Sequence, residues 1–282
     1  MDVIISKHAG YCSGVKRAIN TLDTVIKENN AKNNIYTLGS IIHNPKVVEN
    51  YKEKGVYPLD DINELKPGDN VIIRSHGISP EVMDALKRKR VKIFDATCPF
   101  VLKVHKLAEN LSHRGYFIIV IGDKNHPEVI GIKGNIKNNN YTIVNSVEEA
   151  AQINPQKKIA VLSQTTQTEE NFKLISKEIT GKIKDEILII NTTCKTTELR
   201  QNEVARLAEK ADIMIIAGGK NSANTTHLAE ISKNILPRTY HIENANDLKK
   251  EWFKNLKLAA ISGGSSTPHE DIDDIRKIIE LY

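Results

Sequence analysis

The chain has 282 residues, of which 40% are hydrophobic and 27% charged, and its formal net charge is +5. This composition is typical of a globular protein, and no segment approaches the ~20 consecutive apolar residues that a membrane helix needs. The small positive excess is far below the dense basic surface of a nucleic-acid-binding protein, so the sequence predicts neither a membrane nor a nucleic-acid partner.

The first third begins with the strand-like run DVIIS, which is followed by Cys12 and a helical pattern over residues 13–28. A turn follows at Gly39, in GSIIHNP, and a later strand ends at Ser75, in VIIRSHGISP. The basic run KRKR at 87–90 lies where a helical pattern ends, a position that suits cations. We interpret this run as a solvated helix end.

The second third repeats this order of elements. The strand VKIFD leads to Cys98 and the helical pattern PFVLKVHKLAENL. Strand and helix patterns then alternate through YFIIVIGD, PEVIGIKGN, YTIVNS, VEEAAQI, KKIAVLSQ and TEENFKLISKEI. The last third begins with EILII, Cys194 and the helical pattern KTTELRQNEVARLAEKA, and its final strand is LAAIS. This alternation predicts an α/β fold with mostly parallel sheets.

Three landmarks recur in each third and indicate an internal repeat. The cysteines at 12, 98 and 194 are separated by 86 and 96 residues. Glycine turns at 39, 122 and 218 follow them by 27, 24 and 24 residues, and strand-ending serines at 75, 163 and 262 follow by 63, 65 and 68. The sequence therefore predicts three similar α/β lobes around a pseudo-threefold axis, with domain boundaries that give lobes at 1–97, 98–193 and 194–282.

The three cysteines are candidate metal ligands. The amino terminus lacks the apolar stretch of a signal peptide, so we expect a cytoplasmic, reducing location in which thiols stay reduced. Each cysteine also precedes a helix, whose amino-terminal dipole favours the thiolate. Three thiolates with a fourth histidine could bind zinc, but a 4Fe-4S cluster with one open iron fits better.

The glycine and serine turns place hydroxyl, amide and imidazole groups at the carboxyl ends of strands, where α/β proteins hold their sites. Such groups can donate hydrogen bonds to the oxygens of a phosphate or diphosphate. One carboxylic acid lies among them and can donate a proton if burial raises its pKa. The set comprises His43, His76, His126, Glu128, Thr165, Ser222, Asn224 and Ser266.

At these residues the chain resembles the 4-hydroxy-3-methylbut-2-enyl diphosphate reductase family of the non-mevalonate isoprenoid pathway. The similarity runs from end to end and consists of nine motifs in order: GYCSGVKRAI (10–19), HNPKVV (43–48), RSHG (74–77), DATCPFVLKVH (95–105), GDKNHPEVIG (122–131), SQTT (163–166), TTCKTTELRQ (192–201), KNSAN (220–224) and GGSSTP (263–268). The family's three-lobed α/β trefoil agrees with the repeat.

The resemblance implies a two-electron reductive dehydroxylation of an allylic diphosphate to isopentenyl and dimethylallyl diphosphates, with a ferredoxin or flavodoxin as electron donor. Cys12, Cys98 and Cys194 would hold one 4Fe-4S cluster whose open iron binds the substrate hydroxyl. Glu128 would donate a proton, assisted by Thr165 and His126. The diphosphate would be bound by His43, His76, His126, Thr165, Ser222, Asn224, Ser266 and the backbone of Ala223, which stands where many relatives have serine.

Two other functions remain open at this point. A non-enzymatic iron-sulfur sensor would explain the cysteines but not the set of hydrogen-bond donors. A diphosphate-handling transferase with structural zinc would be colourless after anaerobic purification, whereas an iron-sulfur protein would be brown. For the enzyme we also expect the lobes to close on the diphosphate, which excludes water, and we expect substrate to protect the chain from protease.

Overall fold

The computed structural model describes residues 1–29, 33–154, 157–183 and 185–282. In these residues, twelve strands form three parallel four-stranded sheets. The strands are β1 (Asp2–Ile5), β2 (Ile35–Leu38), β3 (Val56–Leu59), β4 (Asn70–Ile73), β5 (Lys92–Asp95), β6 (Phe117–Ile121), β7 (Tyr141–Val144), β8 (Lys158–Ser163), β9 (Glu186–Ile189), β10 (Ile213–Ala217), β11 (Thr239–Ile242) and β12 (Leu258–Gly263). The predicted α/β fold with parallel sheets is confirmed.

Ten α-helices alternate with these strands along the described chain. They are α1 (Ser13–Asn29), α2 (Pro45–Glu53), α3 (Pro80–Arg88), α4 (Pro99–His113), α5 (Pro127–Gly134), α6 (Val147–Ala151), α7 (Glu169–Thr180), α8 (Lys195–Ala208), α9 (Ala223–Ile235) and α10 (His269–Glu280). The predicted helix after each cysteine is therefore present, and the run at 87–90 lies at the end of α3. None of the described helices is long and apolar enough to cross a membrane.

The chain divides into two compact units. The first consists of Met1–Lys16, Ile42–Asn50 and Lys195–Tyr282, and it contains one sheet in the order β1-β12-β10-β11. The second consists of Arg17–Ile41 and Tyr51–Cys194, and it contains two sheets in the orders β3-β2-β4-β5 and β7-β6-β8-β9.

The central strands are mostly apolar, as expected for parallel sheets that are covered on both faces. In the first unit, Ile213 and Ile215 pack into one core cluster, and Met214 and Ile216 pack into another. In the second unit, alternate residues of β6 divide in the same way, with Ile118 in one cluster and neighbouring strand residues in the other. Strands β10 and β6 thus each contribute side chains to two core clusters.

The glycine turns are structurally equivalent. The N–H groups of Gly39, Gly122 and Gly218 each donate to the last residue of the neighbouring strand, Leu59, Val144 and Ile242, over 2.9 Å. These bonds confirm the repeat that the glycine spacing predicts.

The serine landmarks are less regular than the sequence predicts. Ser163 ends strand β8 as predicted, but Ser262 is the last residue but one of β12, and Ser75 lies in the turn two residues after β4. The equivalent turns span residues 74–77, 164–167 and 264–267, each closed by a bond from its last N–H to its first carbonyl. Ser75, Thr165 and Ser265 are therefore the matching positions.

Each cysteine follows an edge strand of one sheet. Strand β5 lies beside β4 and β9 lies beside β8, so the strands before Cys98 and Cys194 belong to the sheets of the preceding thirds. Strand β1, which leads to Cys12, pairs with β12 of the last third, from Asp2 with Leu258 to Ile5 with Ile261. The lobe boundaries at 97 and 193 remain a prediction. Strand β1 belongs by sequence to the predicted first lobe, but it pairs with the sheet of the last one.

Candidate active site

In the second unit, Glu128 and Thr165 form a buried pair. Glu128 is 1% exposed and lies in the first turn of α5. Its Oε1 accepts from the Thr165 N–H over 2.6 Å, and its Oε2 is 2.7 Å from the Thr165 hydroxyl. Burial raises the pKa of the Glu128 carboxyl, and the two bonds from Thr165 oppose that shift only in part. The carboxyl therefore holds its proton to a higher pH than an exposed glutamate does.

His126 begins the same helix. Its Nδ1 accepts from the Glu128 N–H over 3.2 Å, which makes His126 the amino-terminal cap of α5. A neutral imidazole that accepts at Nδ1 carries its proton on Nε2, so Nε2 is the donor. The ring of His76 meets that of His126 edge to face, with centroids 5.2 Å apart. The structure thus brings two of the predicted histidines together in this unit.

The backbones of Cys98 and Cys194 are hydrogen-bonded to the equivalent turns 74–77 and 164–167 of the second unit. The Cys98 N–H donates to the Ser75 carbonyl and the Cys194 N–H to the Thr165 carbonyl, each over 2.9 Å. Cys98 also occupies the cap position of α4, directly before Pro99. One cysteine is therefore placed next to the turn that carries His76, and the other is bonded to the residue that contacts Glu128.

Cys12 shows the same pattern in the first unit. Its N–H donates to the Ser265 carbonyl over 3.4 Å, and its Sγ accepts from the Val15 N–H over 3.4 Å. That N–H belongs to the first turn of α1, whose dipole favours a negatively charged sulfur.

A second group of predicted residues lies at the start of α9, in the first unit. Ser222 caps this helix by accepting from the Thr225 N–H, and Ala223 and Asn224 form its first turn. Asn224 is 3% exposed, and its Nδ2 has no hydrogen-bond partner among the described residues. A buried amide donor beside a helix amino terminus fits an anion such as phosphate.

Ser266 and His43 lie together in the same unit. The Ser266 hydroxyl donates to the His43 carbonyl over 3.0 Å, and the Asn44 amide donates to the Ser266 carbonyl over 3.1 Å. A Cβ at position 219 would lie 2.7 Å from the His43 carbonyl oxygen. Glycine at this position therefore lets the backbones of residues 219 and 43 come close together. The loops after β10 and β12 and the start of α2 are thereby held close to one another.

The cysteines fit an iron-sulfur group. None of the three, all of which lie in described parts of the chain, forms a disulfide, and each is half-buried. Each is next to the first turn of a helix, where thiolates are stabilised, and each has its backbone fixed by a bond to an equivalent turn.

Comparison with known proteins gives consistent results. The model of the family described as LytB protein matches residues 3–280. The chain belongs to the LytB family. It is 46% identical to the 4-hydroxy-3-methylbut-2-enyl diphosphate reductase of Aquifex aeolicus (strain VF5), over 99% of this chain and 96% of that protein. It is 42% identical to the reductase of the same name from Thermoanaerobacter sp. (strain X514), over 100% of this chain and 97% of the relative.

Two solved structures are also similar to this LytB chain. One is (E)-4-hydroxy-3-methyl-but-2-enyl diphosphate reductase, the terminal enzyme of the non-mevalonate pathway, with 45% identity, a TM-score of 0.72 and complete coverage of both chains. The other is the E-1-hydroxy-2-methyl-but-2-enyl-4-diphosphate reductase of Plasmodium falciparum, with 30% identity and a TM-score of 0.91 over 99% of this chain and 87% of that chain.

The sequence patterns of this LytB chain do not single out three polar residues that support the site, of which Arg200 and His105 are buried and Glu203 is half-buried. Arg200 and Glu203 of α8 bind the loop that leads to Cys12. His105 of α4 contacts the turn at Gly77 and the helix at Gly131. Helical periodicity places residues 197, 201, 204 and 208 of α8 on its buried face, and Arg200 is a charge on that face. A charge in such a stripe is the signal that could have identified it.

Proposed function

We propose that this chain is an iron-sulfur reductase that acts on (E)-4-hydroxy-3-methylbut-2-enyl diphosphate. Two electrons and two protons remove the allylic hydroxyl as water and leave isopentenyl or dimethylallyl diphosphate, the last step of the non-mevalonate pathway. A ferredoxin or flavodoxin supplies the electrons. The observation that carries this proposal is the buried Glu128–Thr165 pair, in a chain related over its full length to reductases of that name.

In this proposal Cys12, Cys98 and Cys194 hold one 4Fe-4S cluster and leave one iron open. When bound, the cluster supplies electrons and a Lewis acid. The support is that all three sulfurs lie at helix starts and that all three backbones are fixed by equivalent bonds. The bond from Val15 to the Cys12 sulfur further favours the thiolate that a cluster needs.

Glu128 is the proton donor in this mechanism. Hydroxide is a poor leaving group, so the departing oxygen needs a proton. A protonated Glu128 can donate from Oε2 to the Thr165 hydroxyl, which leaves the Thr165 hydrogen free to bond the substrate oxygen. Burial raises the pKa of Glu128, which keeps that proton in place before the reaction.

In this proposal the diphosphate accepts hydrogen bonds from side-chain and backbone donors. These are His43, His76, His126, Ser222, Asn224, Ser266 and the backbone of Ala223. The Asn224 Nδ2, which has no partner within the described ranges, and the N–H groups at the start of α9 can only donate, which matches phosphate oxygens that can only accept. His126 donates from Nε2.

We expect Glu128→Gln to keep iron and substrate binding and to lose turnover by about a hundredfold or more, because an amide cannot supply the proton. The measurement is the rate of reduction by anaerobic enzyme with a chemical reductant, alongside the substrate dissociation constant. Glu170→Gln, an exposed glutamate of α7, is the matched control. A near-normal rate for Glu128→Gln would remove Glu128 from this role.

We expect Cys→Ser at position 12, 98 or 194 to destabilise the cluster and abolish reduction, because a hydroxyl is a poor substitute for a thiolate ligand. Iron content and the visible absorption of anaerobically purified protein measure this. A colourless wild-type protein with stoichiometric zinc would contradict the cluster. Mössbauer spectra with and without substrate would report whether one iron differs from the others.

A further inference from the structure

The loop from residue 6 to residue 11 joins β1 to Cys12 and contains no helix or strand of its own. Besides the bond from the Ala9 N–H to the Ser6 carbonyl within it, the loop depends on bonds to other elements of the first unit. Gly10 has a φ of +94°, which favours glycine, and a Cβ there would lie 2.5 Å from the His269 ring. The loop is thus packed against the start of α10 on one side, and α8 holds it by two charged side chains.

Glu203 of α8 receives three hydrogen bonds from the first half of this loop. Its Oε1 accepts from the Lys7 N–H over 2.8 Å. Its Oε2 accepts from the Ser6 hydroxyl over 2.6 Å and from the His8 N–H over 3.1 Å. Burial raises the pKa of the Glu203 carboxyl, but the hydrogen bonds outweigh it and hold the pKa below its usual value. An ionised carboxylate is the strongest acceptor for such donors.

Arg200 lies one helical turn before Glu203 and holds the second half of the loop. Its Nη2 donates to the Gly10 carbonyl over 2.5 Å, and its Nη1 donates to the Gly263 carbonyl at the end of β12 over 2.8 Å. The side chain is 2% exposed. A planar guanidinium fixes the distance between the two carbonyl oxygens that it binds. Arg200 therefore holds Gly10 close to the end of β12, directly before the turn that contains Ser265.

We infer that Arg200 and Glu203 are positioning residues for the Cys12 sulfur. Together they bind residues 6, 7, 8 and 10, and these bonds restrict the backbone dihedral angles of the loop before Cys12. The Cys12 N–H then meets the Ser265 carbonyl, and its sulfur meets the Val15 N–H. This role of the two side chains matters for catalysis only if Cys12 is a cluster ligand, as the proposed function has it.

The test is hydrogen exchange of the metal-free, reduced protein. In Glu203→Gln the amide side chain keeps one acceptor oxygen and places an N–H where a carboxylate oxygen was. Hydrogen bonds to a charged group are stronger than neutral ones, so their loss loosens the loop, and we expect residues 9–16 to exchange about tenfold faster. Arg200→Lys should have the same effect, because one ammonium cannot reach both carbonyls in the same geometry.

Glu198→Gln is the matched control, since Glu198 lies on the same helix and its carboxylate pairs with Lys195. It should leave exchange at residues 9–16 unchanged, and residues 213–217 of β10 should be unchanged in every variant. If Glu203→Gln does not fold, Ser6→Ala removes one donor, keeps the carboxylate and gives the milder form of the same test.

Faster exchange at residues 7 and 8 with unchanged exchange at residues 9–16 would overturn the inference, because the effect would then stop before Cys12. Loss of iron to a chelator gives a second readout, and it should be faster in Glu203→Gln than in Glu198→Gln. If Cys12→Ser keeps its full iron content, the proposed cluster ligand is wrong. The exchange result for the loop would still stand, so the two failures are distinguishable.

Discussion

Glu128 shows how two opposing effects set the behaviour of one carboxyl. Burial removes water from the charged form and raises its pKa, whereas each bond from Thr165 stabilises the charge and lowers it. Burial is the larger effect. The bonds from Thr165 therefore limit how far the pKa of Glu128 rises. The Thr165 hydroxyl is also a group to which Glu128 can pass its proton.

We expect Thr165→Val to raise the pKa of Glu128 further, because the hydroxyl bond that lowers it is lost while the backbone N–H bond remains. Turnover should fall as well, since the hydroxyl no longer relays the proton. The carboxyl stretching band in infrared spectra at increasing pH measures the pKa directly. Thr165→Ser keeps the hydroxyl and should restore both properties; an unchanged pKa in the valine variant would contradict the assignment.

At the scale of elements, the site groups stand at the amino ends of helices. His126 caps α5, Ser222 caps α9 and Cys98 precedes α4. These positions could be predicted from sequence, because strand and helix periodicities change at a cysteine or at a turn residue. The roles of Arg200 and Glu203 could not, since their partners lie about 190 residues away in the chain and periodicity carries no information on such pairs.

Helix α5 approaches α4 closely at Gly131. A Cβ at Gly131 would lie 2.9 Å from Nε2 and 3.0 Å from Cε1 of His105, whose side chain is buried. The absence of a side chain at this position lets α5 reach the depth at which Glu128 is covered.

We expect Gly131→Ala to destabilise the protein by about 1–2 kcal/mol, because overpacking outweighs the gain in helix propensity from alanine. Urea unfolding at neutral pH measures this. Gly181→Ala is the control, since a Cβ there makes ordinary contacts of 3.5 Å or more, and it should be neutral or slightly stabilising. Equal stability of the two variants would show that α5 can shift at no cost.

At the scale of the whole molecule, the α/β class and the glycine repeat could be predicted because each lobe repeats the same local order of strand, turn and helix. The prediction that Ser75, Ser163 and Ser262 are equivalent positions is wrong, because it follows the serine residue type. The equivalent positions are those of the turns, where Thr165 and Ser265 correspond to Ser75. The pairing of β1 with β12 was also missed, since no local pattern reports which distant strand fills an edge.

We expect the stability of the whole chain to fall as pH is lowered from about 6.5 to about 4. Burial lowers the pKa of His105 to about 4, and Asp95 offsets this only in part. The unfolded chain, with a pKa near 6.5, takes up the proton first, so acid favours unfolding by up to about 3 kcal/mol through this group.

Denaturant unfolding of metal-free protein at pH 7 and pH 5 measures this effect. His105→Gln has no titrating ring and should lose much of the difference between the two pH values, even if it is less stable at both. The same difference in wild type and variant would assign the acid sensitivity to other groups.

The pairing of the first strand with the last has a consequence for biosynthesis. When β1 leaves the ribosome, the strand that it pairs with has not yet been translated, whereas the other two sheets have all their strands before β12 is made. The edge next to Cys12 is therefore completed only after translation of β12. Iron loading that requires an ordered Cys12 must follow that step, and a chain truncated before β12 would have no partner strand for β1.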